Sequence, residues 1–256
     1  MDWHRSRSAV FLDASWTFPG GPEFRSEGFI PGAIPFDIDT VKDTANPLPH
    51  MLPEPADFER HVGRMGVDND DRIVVYDRIG IFSSPRVWWM FRAMGHDNVF
   101  VLNGGLPAWI EAGGPVKASP GPPKNETRFR AAFRPHLVAS RADMIAAIDQ
   151  PDTAILDARP ASRFSGQSAE PRPGMRAGHI PGARCVPWTT LLDDRSEMTG
   201  SVETRDAANV ITTCGSGVTA CLLALSLYRD GLEAAVYDGS WVEWGGRTDT
   251  PVETAG

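Results

Sequence analysis

The sequence has 256 residues, of which 41% are hydrophobic and 23% charged, and these values fit one large or two ordinary domains with a sizeable core. The formal net charge of −8 argues against nucleic acid or an acidic membrane surface as the main partner. No apolar run is long enough to span a bilayer and no signal peptide is visible, so we expect a cytoplasmic protein without a membrane partner.

The cysteine and histidine pattern excludes two further classes. Three cysteines, Cys185, Cys214 and Cys221, are too few and odd in number for a disulfide framework. The histidines are scattered and no Cys-x-x-Cys occurs, so no metal site is predicted. A reducing compartment fits a working thiol.

Segments of the first half recur in the second half in the same order and at similar spacing. Each half also alternates short apolar strands with helical runs, which predicts an α/β fold with a mainly parallel sheet in each of two tandem domains. The matching pairs are Leu12–Ala14 with Leu156–Ala158, Gly28–Ala33 with Gly178–Ala183, Ile73–Tyr76 with Val210–Thr213, and Asn103–Gly105 with Asp238–Ser240.

The first domain is predicted over residues 1–117. Its expected strands and helices follow hydrophobic periodicity and Gly or Pro boundaries. A Pro- and Gly-rich stretch then predicts a linker over 118–135. The expected strands are 9–12, 73–76 and 99–102, and the expected helices are 55–65 and 85–94, the second with a buried Trp pair.

The second domain is predicted over residues 136–256. It begins with a helix over 142–148, for which Ser140 and Asp143 form a capping box, and the first domain has no room for its counterpart. A long loop covers 158–178, and the stretch 193–209 is polar where the first domain has a helix. The expected strands are 154–157, 184–186, 210–213 and 235–237, with a last turn near 241–244.

Cys214 stands directly after a buried strand and before a helix expected to begin at Val218 or Thr219. Gly215 and Gly217 let the backbone curl so that N–H groups converge on one point, which the positive end of the helix also faces. Such a setting favours a thiolate. The repeat places Asp77 at the matching position of the first domain, so only the second domain is predicted to hold the nucleophile.

The loop at residues 214–219 has the sequence Cys-Gly-Ser-Gly-Val-Thr. The chain also contains the paired Ile-Pro-Gly-Ala segments and the segment Tyr237–Trp241. Over nearly the whole chain this pattern resembles the tandem rhodanese-domain sulfurtransferases, and within them the 3-mercaptopyruvate sulfurtransferase subfamily. The resemblance implies two rhodanese-like domains, no cofactor, and a small-molecule substrate. Sulfur would pass through a persulfide on Cys214 to a thiol acceptor, with thioredoxin as a candidate, or to cyanide, with release of pyruvate.

The resemblance also implies the site residues. Cys214 is the nucleophile, and the Ser216 hydroxyl bonds the substrate ketone or relays a proton. Arg163 and Arg172 bind the substrate carboxylate, because a guanidinium donates two bonds in one plane. The remaining loop residues, Gly215, Gly217, Val218 and Thr219, line the substrate site.

Other side chains near these segments are given structural or surface roles. Arg159 and Arg176 are expected on the loop surface, as exposed arginine is the default. His179 is expected to hold its own loop together, and Cys221 to be packed. Phe29 stands where the family usually has a histidine of the proton relay, so that relay is in doubt here.

Two alternatives stay open. The first is a thiosulfate sulfurtransferase, although Gly215 and Ser216 provide no fixed cation for that dianion. The second is a non-catalytic sulfur carrier or regulatory binding module. Phe29 and the irregular stretch 193–209 support this alternative. A phosphatase of the same fold would need an arginine to close the loop, and Ala220 stands there instead.

Overall fold

The computed structural model describes residues 9–18, 20–122, 124–205 and 207–254. They form two compact units. The first contains the described residues of Met1–Thr44, Leu52–Arg134 and Leu192–Met198. The second contains those of Ala45–Met51, Pro135–Leu191 and Thr199–Gly256. The ends of the predicted domains, residues 1–8 and 255–256, lie outside the described part.

The first unit is built on a parallel sheet of four strands in the order β2-β1-β3-β4. Its central pair runs in register from Ala9 opposite Arg72 to Asp13 opposite Tyr76. The two central strands are apolar and largely buried, as expected where helices cover both faces of a parallel sheet. The strands are β1 (Ala9–Asp13), β2 (Ile34–Pro35), β3 (Arg72–Tyr76) and β4 (Val99–Val101).

Three helices accompany this sheet: α1 (Pro55–Arg64), α2 (Ser84–Ala93) and α3 (Gly105–Glu111). Both α1 and α2 carry proline in the first turn, where the missing N–H costs no intrahelical bond. Every residue of α2 is buried, and the predicted Trp pair belongs to the core.

The second unit has a parallel sheet of five strands in the order β5-β9-β8-β6-β7. Strands β6 and β8 run in register, with Leu156 opposite Thr212 and Asp157 opposite Thr213. This pairing aligns the carboxyl ends of the two central strands. The strands are β5 (Val138–Ala139), β6 (Thr153–Asp157), β7 (Arg184–Cys185), β8 (Asn209–Thr213) and β9 (Ala235–Tyr237).

Helix α4 begins with the predicted capping box, in which Ser140 and Asp143 each accept a backbone N–H of the other. Met144 and Ala147 of this helix are buried in a core cluster with Trp241 and Trp244. The helices of the unit are α4 (Arg141–Ala147), α5 (Ala161–Phe164), α6 (Ala220–Arg229) and α7 (Ser240–Trp244).

The predicted fold class is confirmed: each unit is a parallel sheet with helices. Helix α6 ends at Arg229, and Gly231 just beyond it has a left-handed conformation. Four elements were not predicted, namely β2, β5, α3 and α5. Two strands of two residues and a helix of four are too short to show a period, and α3 begins at a Gly pair that suggests a loop.

Part of the stretch predicted as a linker packs into the first unit. Phe129 is 2% exposed and contacts Phe58 and Phe91 edge to face, with ring centroids 5.7 and 5.9 Å apart. Aromatic contacts of this kind add to the burial of apolar area. The predicted domain limits themselves stay a prediction.

Replacing Phe129 by alanine tests whether this stretch stabilises the first unit. We expect Phe129→Ala to lower the free energy of unfolding by about 3 kcal/mol, because it empties a buried aromatic site. Phe133→Ala is the matched control, since Phe133 is 44% exposed. Urea unfolding followed by tryptophan fluorescence measures both. Equal stability of the two variants would mean that the stretch behaves as a free linker.

Candidate active site

Cys214 follows β8 directly and occupies the turn that leads into α6. The helix begins at Ala220, one or two residues later than predicted. Gly217 has a φ of +78°, a conformation that glycine adopts without strain. Cys214 is 2% exposed, so its sulfur lies within the protein and not on an open surface.

The first turn of α7 holds this loop in place. The N–H of Trp241 donates to the carbonyl of Cys214, and that of Val242 to the carbonyl of Gly215, each at 2.9 Å. The Cys214 N–H donates to Oγ of Ser240 at 3.3 Å, and the same oxygen lies 3.9 Å from the Cys214 sulfur. Sequence analysis missed Ser240, although the repeat aligned it with Gly105.

A buried ionic cluster lies beside the loop. The guanidinium of Arg159 donates to Asp157 at 2.7 Å and to Glu170 at 2.8 Å. The other oxygen of Glu170 bonds Nη2 of Arg163, whose Nε also lies 3.2 Å from this carboxylate. Glu170 therefore joins two arginines, and its side chain is only 4% exposed.

Arg163 reaches the nucleophile loop because Gly215 has no side chain. A Cβ added at Gly215 would lie 2.9 Å from Nη2 of Arg163, closer than Cβ contacts normally are. The guanidinium therefore packs against the residue that follows Cys214. Of the predicted site residues, Cys214, Gly215 and Arg163 are brought together by this contact.

The other predicted site residues have less direct support. Ser216 is 8% exposed and Val218 is buried, while Thr219 is half-buried at the N-terminal cap of α6. Arg172 is half-buried, and within the described part of the chain no hydrogen bond or ion pair involves its side chain. Its predicted role is not supported by a contact.

The expectation that Arg159 and Arg176 lie on the surface is wrong. Arg159 is 1% exposed and stacks over Trp241 at 4.2 Å, because two carboxylates neutralise its charge. Arg176 is half-buried and donates to the carbonyls of Trp244 and Thr250 at 2.9 Å. Both arginines join the loop to the end of the second unit.

His179 has the structural role that the sequence suggested. Its ring stacks on Phe164 at 3.8 Å, and its Nδ1 lies 2.8 Å from the Phe164 carbonyl. Phe29, at the matching place in the first unit, pairs its N–H with the Lys117 carbonyl at 2.9 Å and packs under Arg78.

In the first unit, the matching loop surrounds the side chain of its own first residue. Asp77, which matches Cys214, is fully buried and directs its carboxylate into its own loop. One oxygen accepts the N–H groups of Ile79 and Gly80 at 3.0 and 3.1 Å. The other accepts N–H groups of Phe82, Ser83 and Ser84 and the Ser84 hydroxyl, at 2.7–3.1 Å. A loop between strand and helix thus forms an anion site in this chain.

The other two cysteines differ from Cys214. Cys221 is fully buried in α6, as expected for a packed residue. Burial raises the pKa of the half-buried Cys185 thiol to about 11, so it is a weak nucleophile at neutral pH. Among the described residues, no group of three or more His, Cys, Asp and Glu is placed to hold a metal ion, and no helix could cross a membrane.

Comparison with known families decides the relationship. A family model described as a rhodanese-like domain matches residues 5–112 and again residues 140–247. The chain belongs to the rhodanese family. The two matches correspond to the two halves of the sequence repeat, so it is a tandem rhodanese protein.

Curated relatives narrow the assignment within the rhodanese family. The 3-mercaptopyruvate sulfurtransferase of Escherichia coli is 41% identical, over 88% of this chain and 83% of that protein. The Thiosulfate/3-mercaptopyruvate sulfurtransferase 1, mitochondrial, of Arabidopsis thaliana is 37% identical, over 99% of this chain and 77% of that one. The chain is therefore a sulfurtransferase, and an enzyme.

Solved structures agree with this assignment. The crystal structure of SseA from Escherichia coli, described as a 3-mercaptopyruvate sulfotransferase with the rhodanese fold, superposes with a TM-score of 0.80. The two chains are 35% identical, and the match covers 93% of this chain and 94% of that one. The tandem rhodanese architecture thus extends over nearly the whole sequence.

The buried cluster of this rhodanese predicts a stability effect. Glu170→Gln should lower the free energy of unfolding by about 3 kcal/mol, because it removes a buried carboxylate shared by Arg159 and Arg163. The exposed Glu203→Gln is the control, with an expected change below about 0.5 kcal/mol. Urea denaturation measures both. A Glu170 variant as stable as the control would mean that the cluster adds nothing to the fold.

Proposed function

We propose that this sulfurtransferase takes sulfur from 3-mercaptopyruvate, carries it as a persulfide on Cys214, and passes it to a thiol or to cyanide. The observation that carries the proposal is the contact of Arg163 with Gly215, next to the buried Cys214. It puts a cation beside the nucleophile but outside the loop, where a substrate carboxylate distant from the reacting sulfur would bind.

In the first step the Cys214 thiolate attacks the sulfur of the substrate. A bond forms between the two sulfurs, and the carbon–sulfur bond breaks. Its electron pair goes to pyruvate enolate, which takes up the proton released by the new persulfide. The Ser216 hydroxyl is the group that we assign to this proton or to the ketone, since it stands two residues from Cys214.

In the second step a thiolate acceptor attacks the outer sulfur, and the bond between the two sulfurs breaks. The electron pair returns to the Cys214 sulfur, so the enzyme is restored and the reaction follows a ping-pong course. Gly217, Val218 and Thr219 would supply loop N–H groups to the sulfur anion. The carboxylate of Asp77, held by five backbone N–H groups in the matching loop, supports this part of the proposal.

Charge placement favours 3-mercaptopyruvate over thiosulfate. Thiosulfate carries both charges close to its reacting sulfur, where Gly215 and Ser216 are neutral. Arg163 is paired with Glu170, and the cluster of Arg159, Arg163, Asp157 and Glu170 contains two positive and two negative groups. Such a compensated cluster attracts a dianion much less than the uncompensated cation that thiosulfate would need beside its reacting sulfur. Thiosulfate as the main donor remains the alternative.

The remaining assignments come from the sequence. Thioredoxin as the acceptor, and the cytoplasm as the compartment, fit a thiol that must stay reduced. Pyruvate release and persulfide formation need no cofactor in this scheme, since both steps use only the substrate, the acceptor and Cys214.

The nucleophile is tested by two matched variants. Cys214→Ser should lose pyruvate release by at least about 1000-fold while staying folded, because a serine hydroxyl is hardly ionised at neutral pH. Cys221→Ser, which changes a buried cysteine seven residues later, should keep most activity. Intact mass after mixing with 3-mercaptopyruvate should show one added sulfur on the wild type and on Cys221→Ser. A dead Cys221→Ser with an active Cys214→Ser would refute the assignment.

The carboxylate contact is tested by replacing the arginines. Arg163→Ala should raise KM for 3-mercaptopyruvate roughly 30-fold, the equivalent of about 2 kcal/mol for a partly desolvated charged hydrogen bond. Arg172→Ala should also raise KM for 3-mercaptopyruvate, because Arg172 is the second arginine that we assign to the substrate carboxylate. Steady-state rates on 3-mercaptopyruvate and thiosulfate measure the effect. A wild type that prefers thiosulfate would contradict the donor that we propose, whatever the arginine variants do.

A further inference from the structure

Ser240 adopts a backbone conformation that its residue type disfavours. Its φ is +49°, in the left-handed region where a side chain clashes with the backbone. The matching residue of the first unit is Gly105, with a φ of +57°. The same bend is therefore made by glycine in the unit that lacks the cysteine, and by serine in the unit that has it.

The Ser240 side chain is turned toward Cys214. Its Oγ donates to the Tyr237 carbonyl at 2.9 Å, accepts the Cys214 N–H at 3.3 Å, and lies 3.9 Å from the Cys214 sulfur. A hydroxyl hydrogen rotates about the C–O bond, so it can move from the carbonyl to the sulfur when the sulfur becomes an anion. Strained residues of this kind cluster at functional sites, where the strain supports the mechanism.

We propose that Ser240 is a further catalytic residue, whose hydroxyl donates a hydrogen bond to the Cys214 sulfur as the persulfide is discharged. This inference rests on the proposed function in one respect, namely that Cys214 carries the persulfide. In the discharge step the acceptor thiolate bonds to the outer sulfur and the sulfur–sulfur bond breaks. The electron pair then collects on the Cys214 sulfur, which lies within reach of the Ser240 hydroxyl.

The two half-reactions depend on this hydrogen bond to different extents. During discharge the negative charge on the Cys214 sulfur grows, so a donor stabilises the transition state more than the ground state. During persulfide formation the negative charge on the Cys214 sulfur decreases instead. The donor then favours the thiolate but also lowers its nucleophilicity, and the two effects oppose each other. Loss of Ser240 should therefore slow discharge more than formation.

The surroundings of Ser240 make a single hydroxyl effective. Ser240 is fully buried and Cys214 is 2% exposed, so bulk water does not compete for the sulfur. A hydrogen bond to a charged group is stronger in such a site than in water. Gly105 in the first unit shows that the bend itself does not need the hydroxyl.

Ser240→Ala and Ser240→Gly separate catalysis from folding. Both remove the hydroxyl, but alanine keeps the strained bend and glycine relaxes it, so their unfolding midpoints should differ, with glycine higher. The persulfide is loaded from either 3-mercaptopyruvate or thiosulfate, and intact mass then follows loss of the added sulfur to excess dithiothreitol. We expect discharge to slow roughly tenfold in both variants, and formation to change less than about threefold.

Ser226→Ala is the matched control, because Ser226 is also a buried serine of the second unit and its hydroxyl donates to the Gly200 carbonyl at 3.4 Å. It should leave both half-reactions at the wild-type rate. Discharge at the wild-type rate in either Ser240 variant, or equal slowing of both half-reactions, would overturn the inference. A wild type that gains no sulfur on Cys214 from either donor would instead overturn the proposed function.

Discussion

The register between β6 and β8 is the constraint on which the site depends. Asp157 ends β6 opposite Thr213, which ends β8, so the two chains leave the sheet side by side. Asp157 then binds the buried Arg159, while Cys214 begins its loop one residue after Thr213. A slip of one residue would turn Asp157 to the other face of the sheet and remove the partner of Arg159. The register of the sheet therefore determines the geometry of the site.

The two halves show how one backbone supports different chemistry. At the strand end the first unit has Asp77 and the second has Cys214, and at the next bend the first has Gly105 and the second Ser240. The carboxylate of Asp77 satisfies its own loop, so that loop is already filled by a fixed anion. We propose that the second loop instead receives the sulfur anion that forms and disappears during turnover. The residues at the strand end and at the next bend are thus among those that differ between the two units.

Local pattern was enough to predict most of the fold and to select Cys214 as the candidate nucleophile. The strands β1, β3, β6, β8 and β9 are short runs rich in apolar residues, and the Cys214 loop has a distinctive sequence. The roles of Glu170, Ser240 and Arg159 depend on tertiary contacts across 7, 26 and 19 residues. A sequence shows these only as ordinary polar residues. Arg159 illustrates the limit, because exposure is the default for arginine and only its two carboxylates reverse it.

In the mechanism that we propose, the buried ionic cluster keeps Arg163 beside the nucleophile loop without pairing it with the Cys214 sulfur. A free guanidinium next to Cys214 would pair with the sulfur anion and weaken it as a nucleophile. Glu170 accepts hydrogen bonds from Nε and Nη2 of Arg163, and one of its oxygens also accepts from Arg159. Burying these charges costs desolvation, and a well-packed apolar cluster would often be as stable. The gain is orientation: Glu170 fixes the guanidinium of Arg163 against Gly215, the position where we propose that it meets the substrate carboxylate.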